Sequence, residues 1–385
     1  MSLPEFFRDE AAAGFDPASA STILTVDLDA IAANYRHLRS IGGGADVAGV
    51  VKADAYGLGL APVAETLACA GCTTFFVTDT DEGIALRVAL PGATIYVTNG
   101  LTPGAAALYR GHGLRPCLGS LAEVEEWRKV ASHAGMALPA ALHFDTGMSR
   151  LGFDEVEAAR LTAEPALIAG IDVTLVMSHL ACSDEPEHPL NAIQLARFKP
   201  IRDAFASRPA SFANSGGALL GPDYCFDLIR SGYGLYGGTS GPGPSPFRPA
   251  VRLETRVLQI RDVPPGITAG YGATWEARGP RRLATLATGY ADGYFRSLAA
   301  SGRVYVGGHY APLAGRVSMD LLTVDLTGVP EGAVKRGDFA ELIGPHVTLD
   351  EVADRAGTIG YEVLTRLGDR AKRLYTGGHL TVPES

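Results

Sequence analysis

The 385-residue sequence holds no uninterrupted apolar run of about 18 residues, which excludes an ordinary membrane-spanning helix. Cysteine is scarce. Five residues, an odd number without regular spacing, do not make a disulfide framework. Cys69 and Cys72 form a C-x-x-C, but no second such pair and no histidine pair follows. No metal site is expected, and the two read as small buried residues around a helix end. Positive charge is in deficit: 33 basic against 42 acidic residues leave a net charge of −9. That balance argues against nucleic acid or an anionic membrane as a partner, yet it leaves room for a local basic pocket holding one phosphate. The first 20 residues lack the basic and apolar regions of a signal peptide and carry Glu5, Arg8, Asp9, Glu10 and Asp16 instead. A cytoplasmic location is therefore expected. No G-x-G-x-x-G follows the first strand, which weakens a dinucleotide-binding fold. Internal repeats and low-complexity segments are missing as well.

What remains is the composition of a soluble globular enzyme, 46% hydrophobic and 19% charged. The length suggests an N-terminal extension (1–20), a first domain (21–240) and a second domain (245–385), with the strand near 22–27 able to join the second. Eight strands are expected at 46–52, 73–78, 94–99, 115–119, 140–145, 172–179, 211–214 and 226–230. Helical stretches at 61–70, 81–90, 121–134, 154–162 and 190–205 alternate with them, several opening after Ser, Thr or Asp. Eight β/α units in one domain predict a TIM (β/α)8 barrel. The Gly-, Pro- and Ser-rich stretch 237–250 reads as a linker. Beyond it "VRLETRVLQI", "RRLATLATG", "RVYVGG" and "LLTVDLTG" alternate with period two, so a mainly β C-terminal domain is expected. One helix fits 349–356, with Thr348 and Glu351 as a capping box and Gly357 as its stop.

Active sites of such barrels lie at the C-terminal ends of the strands. The first strand ends in "GVVKADAYG", which places Lys52 there. Apolar surroundings lower an ammonium's pKa, and a neutral amine is what imine formation requires. Later strands run into "HFDTGMSRLGF" with Arg150, "SHLA" with His179, "ANSGG" with Ser215, and "LIRSGYGLYGG" with Arg230 and Gly232. Glycine N–H groups beside a helix start suit a dianionic phosphate. The histidine could stack on or hydrogen-bond a planar ring.

In this order, "VKADAYGLG", "DTGMSRLGF", "SHLA", "ANSGG", "IRSGYGLYG", "YGATW", "GYADGY" and "GRVSMDLLTVDL" resemble the alanine racemase family over nearly the whole chain from about residue 22. The resemblance implies an enzyme that racemises L- and D-alanine with pyridoxal 5′-phosphate (PLP) as a Schiff base on Lys52. Lys52 would be one catalytic base and Tyr271, from the other subunit, the second. Tyr56, Ser215, Gly232 and the N–H of Tyr233 would form the phosphate cup. His179 would lie beside the pyridine ring and Arg230 would pair with its nitrogen. Arg150 would face the phenolic oxygen and the substrate carboxylate. Met319 and Tyr290 of the partner subunit would line the substrate mouth. A head-to-tail homodimer with shared active sites, a small amino acid as substrate, and a role in supplying D-alanine to peptidoglycan precursors are further implications.

Three positions depart from the family pattern. Where many members carry a carbamylated lysine that holds the arginine, this sequence has His143. Where a histidine often precedes "ANS", it has Ser211 and Phe212; where a tyrosine commonly meets the phosphate, it has Asp369. Competing readings are a serine or broad-spectrum racemase, a related decarboxylase of basic amino acids, and a non-catalytic PLP-binding barrel. The last usually stops after the barrel, and decarboxylases do not need the tyrosine of "YGATW".

Overall fold

The computed structural model describes residues 19–239 and 243–378. Nearly all of the expected N-terminal extension, the middle of the expected linker and the last seven residues lie outside that range. The chain divides into two compact units: Ala30–Arg248, and the residues up to Asp29 together with Pro249–Gly378.

From β1 (Thr22–Asp27) the chain passes through α1 (Leu28–Ile41) into the first unit. Eight strands follow: β2 (Asp46–Val50), β3 (Thr74–Val77), β4 (Thr94–Val97), β5 (Leu114–Leu118), β6 (Leu138–His143), β7 (Ile171–Met177), β8 (Ala210–Ser211) and β9 (Leu228–Ser231). They form one sheet in the order β8-β7-β6-β5-β4-β3-β2-β9, every ladder parallel. Its two ends come back to each other, because Arg230 N–H donates to Ala213 O (2.9 Å) and Asp227 N–H to Ala210 O (3.0 Å). The result is the expected barrel. Between strands run α2 (Lys52–Gly57), α3 (Leu60–Cys69), α4 (Thr80–Ala89), α5 (Ala106–His112), α6 (Leu121–Ala134), α7 (Glu155–Ala163), α8 (Pro189–Ala204) and α9 (Ser215–Leu219). Their starts follow capping chemistry: Asp79, Ser120, Asp154 and Asn214 each accept a backbone N–H from the first turn. Ala48, Phe76, Tyr96, Cys117, Ala141 and Met177 fill the barrel interior, with Phe76 stacked on Tyr96 at 5.0 Å. Burying a side chain such as Phe76 contributes about 2 kcal/mol. The interior is thus a packed floor, which leaves the strand ends for chemistry.

The second unit is built on β10 (Val251–Val263), with β11 (Thr268–Ala269), β12 (Trp275–Glu276), β13 (Arg281–Leu286), β14 (Arg303–Val306), β15 (His309–Pro312), β16 (Leu322–Asp325), β17 (Phe339–Ile343) and β18 (Lys372–Thr376). The long β10 pairs antiparallel with β1, β13 and β17, while β18 lies parallel to β1. The four period-two segments of the sequence thus appear as β10, β13, β14 and β16. Two helices, α10 (Leu349–Ala356) and α11 (Gly360–Arg366), complete the unit. Thr348 caps α10 through the Glu351 N–H and left-handed Gly357 ends it, but only half of the expected capping box forms. The Glu351 carboxylate goes instead to Arg303 (2.6 and 2.9 Å) and Arg355 (2.8 Å), cations that a neutral N–H cannot outcompete. All five cysteines are free; Cys72 is buried as expected, but Cys69, the last residue of α3, is exposed. Among the described residues no helix is long and apolar enough to cross a membrane, and no cluster of three or more potential ligands is placed to hold a metal ion.

Candidate active site

Lys52 follows β2 at the C-terminal rim of the barrel and opens α2. That turn winds the wrong way. Ala53, Asp54, Ala55 and Tyr56 all have φ between 52° and 60°. Such torsions cost L-residues roughly 1 kcal/mol or more each, so contacts from elsewhere must hold them. Ala53 N–H donates to Glu82 Oε1 (2.7 Å), Leu60 N–H to Asp54 Oδ1 (2.7 Å) and Gly59 N–H to Asp54 O (2.9 Å). The Tyr56 ring packs on Tyr236 at 4.9 Å, and the Tyr236 hydroxyl donates to Val50 O (2.9 Å). The turn carries the Tyr56 hydroxyl against Gly232, where a Cβ would overlap it. Lys52 itself is partly buried. Burial pushes its amine below the ordinary value, Arg150 and Arg230 push the same way, and Glu82 opposes them.

Arg230 is buried on β9. Its Nη1 donates to Ser211 Oγ (2.6 Å), and its Nη2 to Ser178 O (2.5 Å) and His179 Nδ1 (3.1 Å). Burial brings the guanidinium down to about 10, so it stays charged near neutral pH. Because His179 Nδ1 accepts, the ring proton sits on Nε2. Burial, helped by Arg230, Arg150, His143 and Lys52, holds His179 well below the usual histidine value, in its neutral form. Ser211, a departure from the family pattern in the sequence, accepts the guanidinium N–H directly and donates its own hydroxyl hydrogen bond to Leu228 O (2.5 Å).

Ser215 opens α9 beside the turn that contains Gly232 and Tyr233. Its hydroxyl meets Ser231 Oγ (2.9 Å) and accepts the Gly234 N–H (3.1 Å). Tyr56, Ser215, Gly232 and Tyr233 are all buried here. Arg150 lies on an exposed stretch shaped by Asp145, whose carboxylate accepts the N–H groups of Gly147 (2.8 Å), Met148 (2.9 Å) and Ser149 (3.0 Å). Gln194 ties this stretch to the one bearing His179, donating to Thr146 Oγ1 (3.2 Å) and His179 O (2.9 Å) while accepting the Ala181 N–H (2.9 Å). Burial first, then Arg230 and Arg150, pull buried His143 down to about 4, so it is neutral near pH 7; in neither protonation state does an imidazole offer Arg150 a negative charge. Motif reading did not find Glu82 or Gln194. Glu82 reads as a first-turn helix acid, and nothing in its neighbourhood shows that it reaches residue 53.

In the second unit, Tyr271 stands on a short turn between β11 and β12 and is 72% exposed. Tyr290 (44% exposed) and Met319 (54% exposed) come together through backbone bonds from Tyr290 N–H to Ser318 O and Ala291 N–H to Met319 O, both 3.0 Å. The Tyr271 turn rests on the start of the same loop, since a Cβ at Gly270 would meet Arg316 N at 2.9 Å. Arg370 fixes this region by bridging Asp292 (3.3 Å) and Asp320 (2.9 Å). Asp369 is exposed and pairs with Arg373 (3.2 Å).

A parallel barrel thus gathers an amine of lowered pKa, two arginines and a neutral histidine at its strand ends, where barrel enzymes keep their chemistry. Residues 26–240 match the alanine racemase N-terminal domain and residues 250–375 the alanine racemase C-terminal domain. The chain belongs to the alanine racemase family. It is 50% identical over 356 residues to an alanine racemase of Methylobacterium nodulans, covering 92% of this chain and 96% of that one. A catabolic alanine racemase of Agrobacterium fabrum is 46% identical, covering 96% and 94%. The crystal structure of alanine racemase from Bartonella henselae, with covalently bound pyridoxal phosphate, superposes with a TM-score of 0.89 at 40% identity, covering 93% of this chain and all of that one.

Proposed function

We propose that this chain interconverts L-alanine and D-alanine with PLP joined to Lys52. The observation that carries the reading is the Lys52 amine, partly buried at a strand end and held below its ordinary pKa. Lowering an amine's pKa enlarges its neutral, nucleophilic fraction at any given pH. The surrounding residues fit the cofactor. Tyr56, Ser215, Gly232 and the Tyr233 N–H would form a buried polar cradle, in which the missing side chain of Gly232 lets the Tyr56 hydroxyl come up against its backbone. His179 would lie beside the ring, and Arg230, charged and buried, would meet its nitrogen as a donor. When bound, PLP draws electrons from the substrate's α-carbon and so makes its proton removable.

The chain's own residues then move the proton. Lys52 Nζ exchanges it on one face and Tyr271 Oη of the partner subunit on the other, which inverts the centre. Arg150 holds the substrate carboxylate through its planar fork, and Met319 and Tyr290 of the partner subunit bound the mouth. This division requires a homodimer with shared active sites; its action on a small amino acid in the cytoplasm is part of the same proposal.

The purified protein should be yellow, with a band near ~420 nm that borohydride removes. In D2O either enantiomer of alanine should lose optical rotation and gain α-deuterium. A protein that takes up no PLP and leaves rotation unchanged would end the reading. Mixing a Lys52→Ala protein with a Tyr271→Phe protein should restore part of the activity, since each mixed dimer regains one intact site. No recovery after verified subunit exchange would reject shared sites.

A further inference from the structure

Glu82 lies in the first turn of α4, where its own N–H is bound by Asp79 Oδ1 (3.1 Å). An acid at that place ordinarily stays near the exposed N–H groups of its own helix. This carboxylate turns away from them. Oε1 accepts the N–H of Ala53 (2.7 Å), and Oε2 accepts the N–H of Thr78 (2.7 Å), just past the end of β3. One side chain thereby fastens the residue next to Lys52 to the neighbouring strand of the rim. It does so at the first residue of the left-handed turn, where the backbone most needs an external partner. We propose that Glu82 is a positioning residue that locks the start of the left-handed turn to the barrel rim and presents a negative charge to the Lys52 amine.

Three charged groups act on that amine from three elements: Arg150 from the stretch after β6, Arg230 from β9 and Glu82 from α4. The arginines disfavour its protonation and Glu82 favours it. A purely structural clamp would hold the backbone without moving the proton affinity of Lys52, and this separates the two roles. The inference rests on Lys52 as the attachment point of PLP, but its first readout needs no cofactor.

The test compares full-length parent, Glu82→Gln and Glu82→Ala. Pulse acetylation of the cofactor-free chain over a pH series, read at residue 52 by mass spectrometry, gives the midpoint of the amine. PLP titration followed by absorbance gives cofactor affinity. Glu82→Gln should lower the midpoint by at least about half a unit, because the negative charge is gone while one acceptor oxygen stays. Glu82→Ala should lower it similarly and weaken PLP binding at least about tenfold, because a charge-assisted clamp is lost. An unmoved midpoint in Glu82→Gln, or parent-like PLP affinity in Glu82→Ala, would overturn the proposal. If Glu82→Ala does not fold, Glu82→Gln alone decides. If the parent itself takes up no PLP at Lys52, the functional reading fails, while the acetylation series still reports on Glu82.

Discussion

His143 allows a quantitative test of the charge pattern at the rim. In the folded protein its pKa is pulled down to about 4, chiefly by burial, against an ordinary value of 6.5. It is 8% exposed, so solvent does little to screen the effect. The unfolded chain therefore binds a proton between these two values that the folded chain refuses. The sign follows from linkage: the contribution is fully present above pH 6.5 and is lost as pH falls through 4. At pH 4.5 the parent should have lost roughly 2 to 3 kcal/mol relative to a variant without the imidazole. The perturbation is His143→Gln, which keeps a polar group but does not titrate. Urea unfolding of both proteins at pH 7.5, 6.5, 5.5 and 4.5 provides the assay, with the difference in stability plotted against pH. The gap should stay constant down to pH 6.5 and then move in the variant's favour by the amount given. A difference independent of pH across the whole series would show that His143 titrates normally, so that burial beside Arg230 and Arg150 does not hold it neutral.

Two further substitutions probe the contacts beneath the site. Ser211→Ala removes the acceptor of a buried guanidinium N–H and should cost about 2 kcal/mol, seen as a lower urea midpoint; an unchanged midpoint would mean that the Arg230 network is redundant. Gly232→Ala places a methyl group on the Tyr56 hydroxyl and should weaken PLP binding at least about tenfold with the circular dichroism spectrum intact; parent-like affinity would remove Gly232 from the phosphate cup.

Much of this architecture was legible because local chemistry and tertiary outcome agree. Leu121–Ala134 and Leu349–Ala356 read to the residue, each with a Ser or Thr cap before it and a left-handed glycine after it. The barrel strands read as apolar runs, although β8 shrinks to two residues. Lysine, arginine, histidine and serine at successive strand ends could be named because one topological rule sends all strand ends to one rim. The left-handed turn could not be foreseen. Lys-Ala-Asp-Ala-Tyr contains good right-handed helix formers and no glycine, so local preference points the other way. Glu82 and Gln194 escaped for a related reason: each acts on backbone far along the chain, a placement that only the closed barrel creates. Ser211 was visible in the sequence only as a missing histidine, and its use as an acceptor depends on where β9 brings Arg230.

The reversed winding of residues 53–56 also changes which amino acids the neighbourhood of Lys52 accepts. Elsewhere in a helix alanine outranks glycine; at positions 53 and 55 the mirrored torsions reverse that order, and a branched side chain would be the worst tenant. Glycine would relax the backbone there and loosen the platform under the amine at the same time. The two alanines are a compromise between comfort and stiffness, and handedness acts there as a filter on sequence as selective as size or charge.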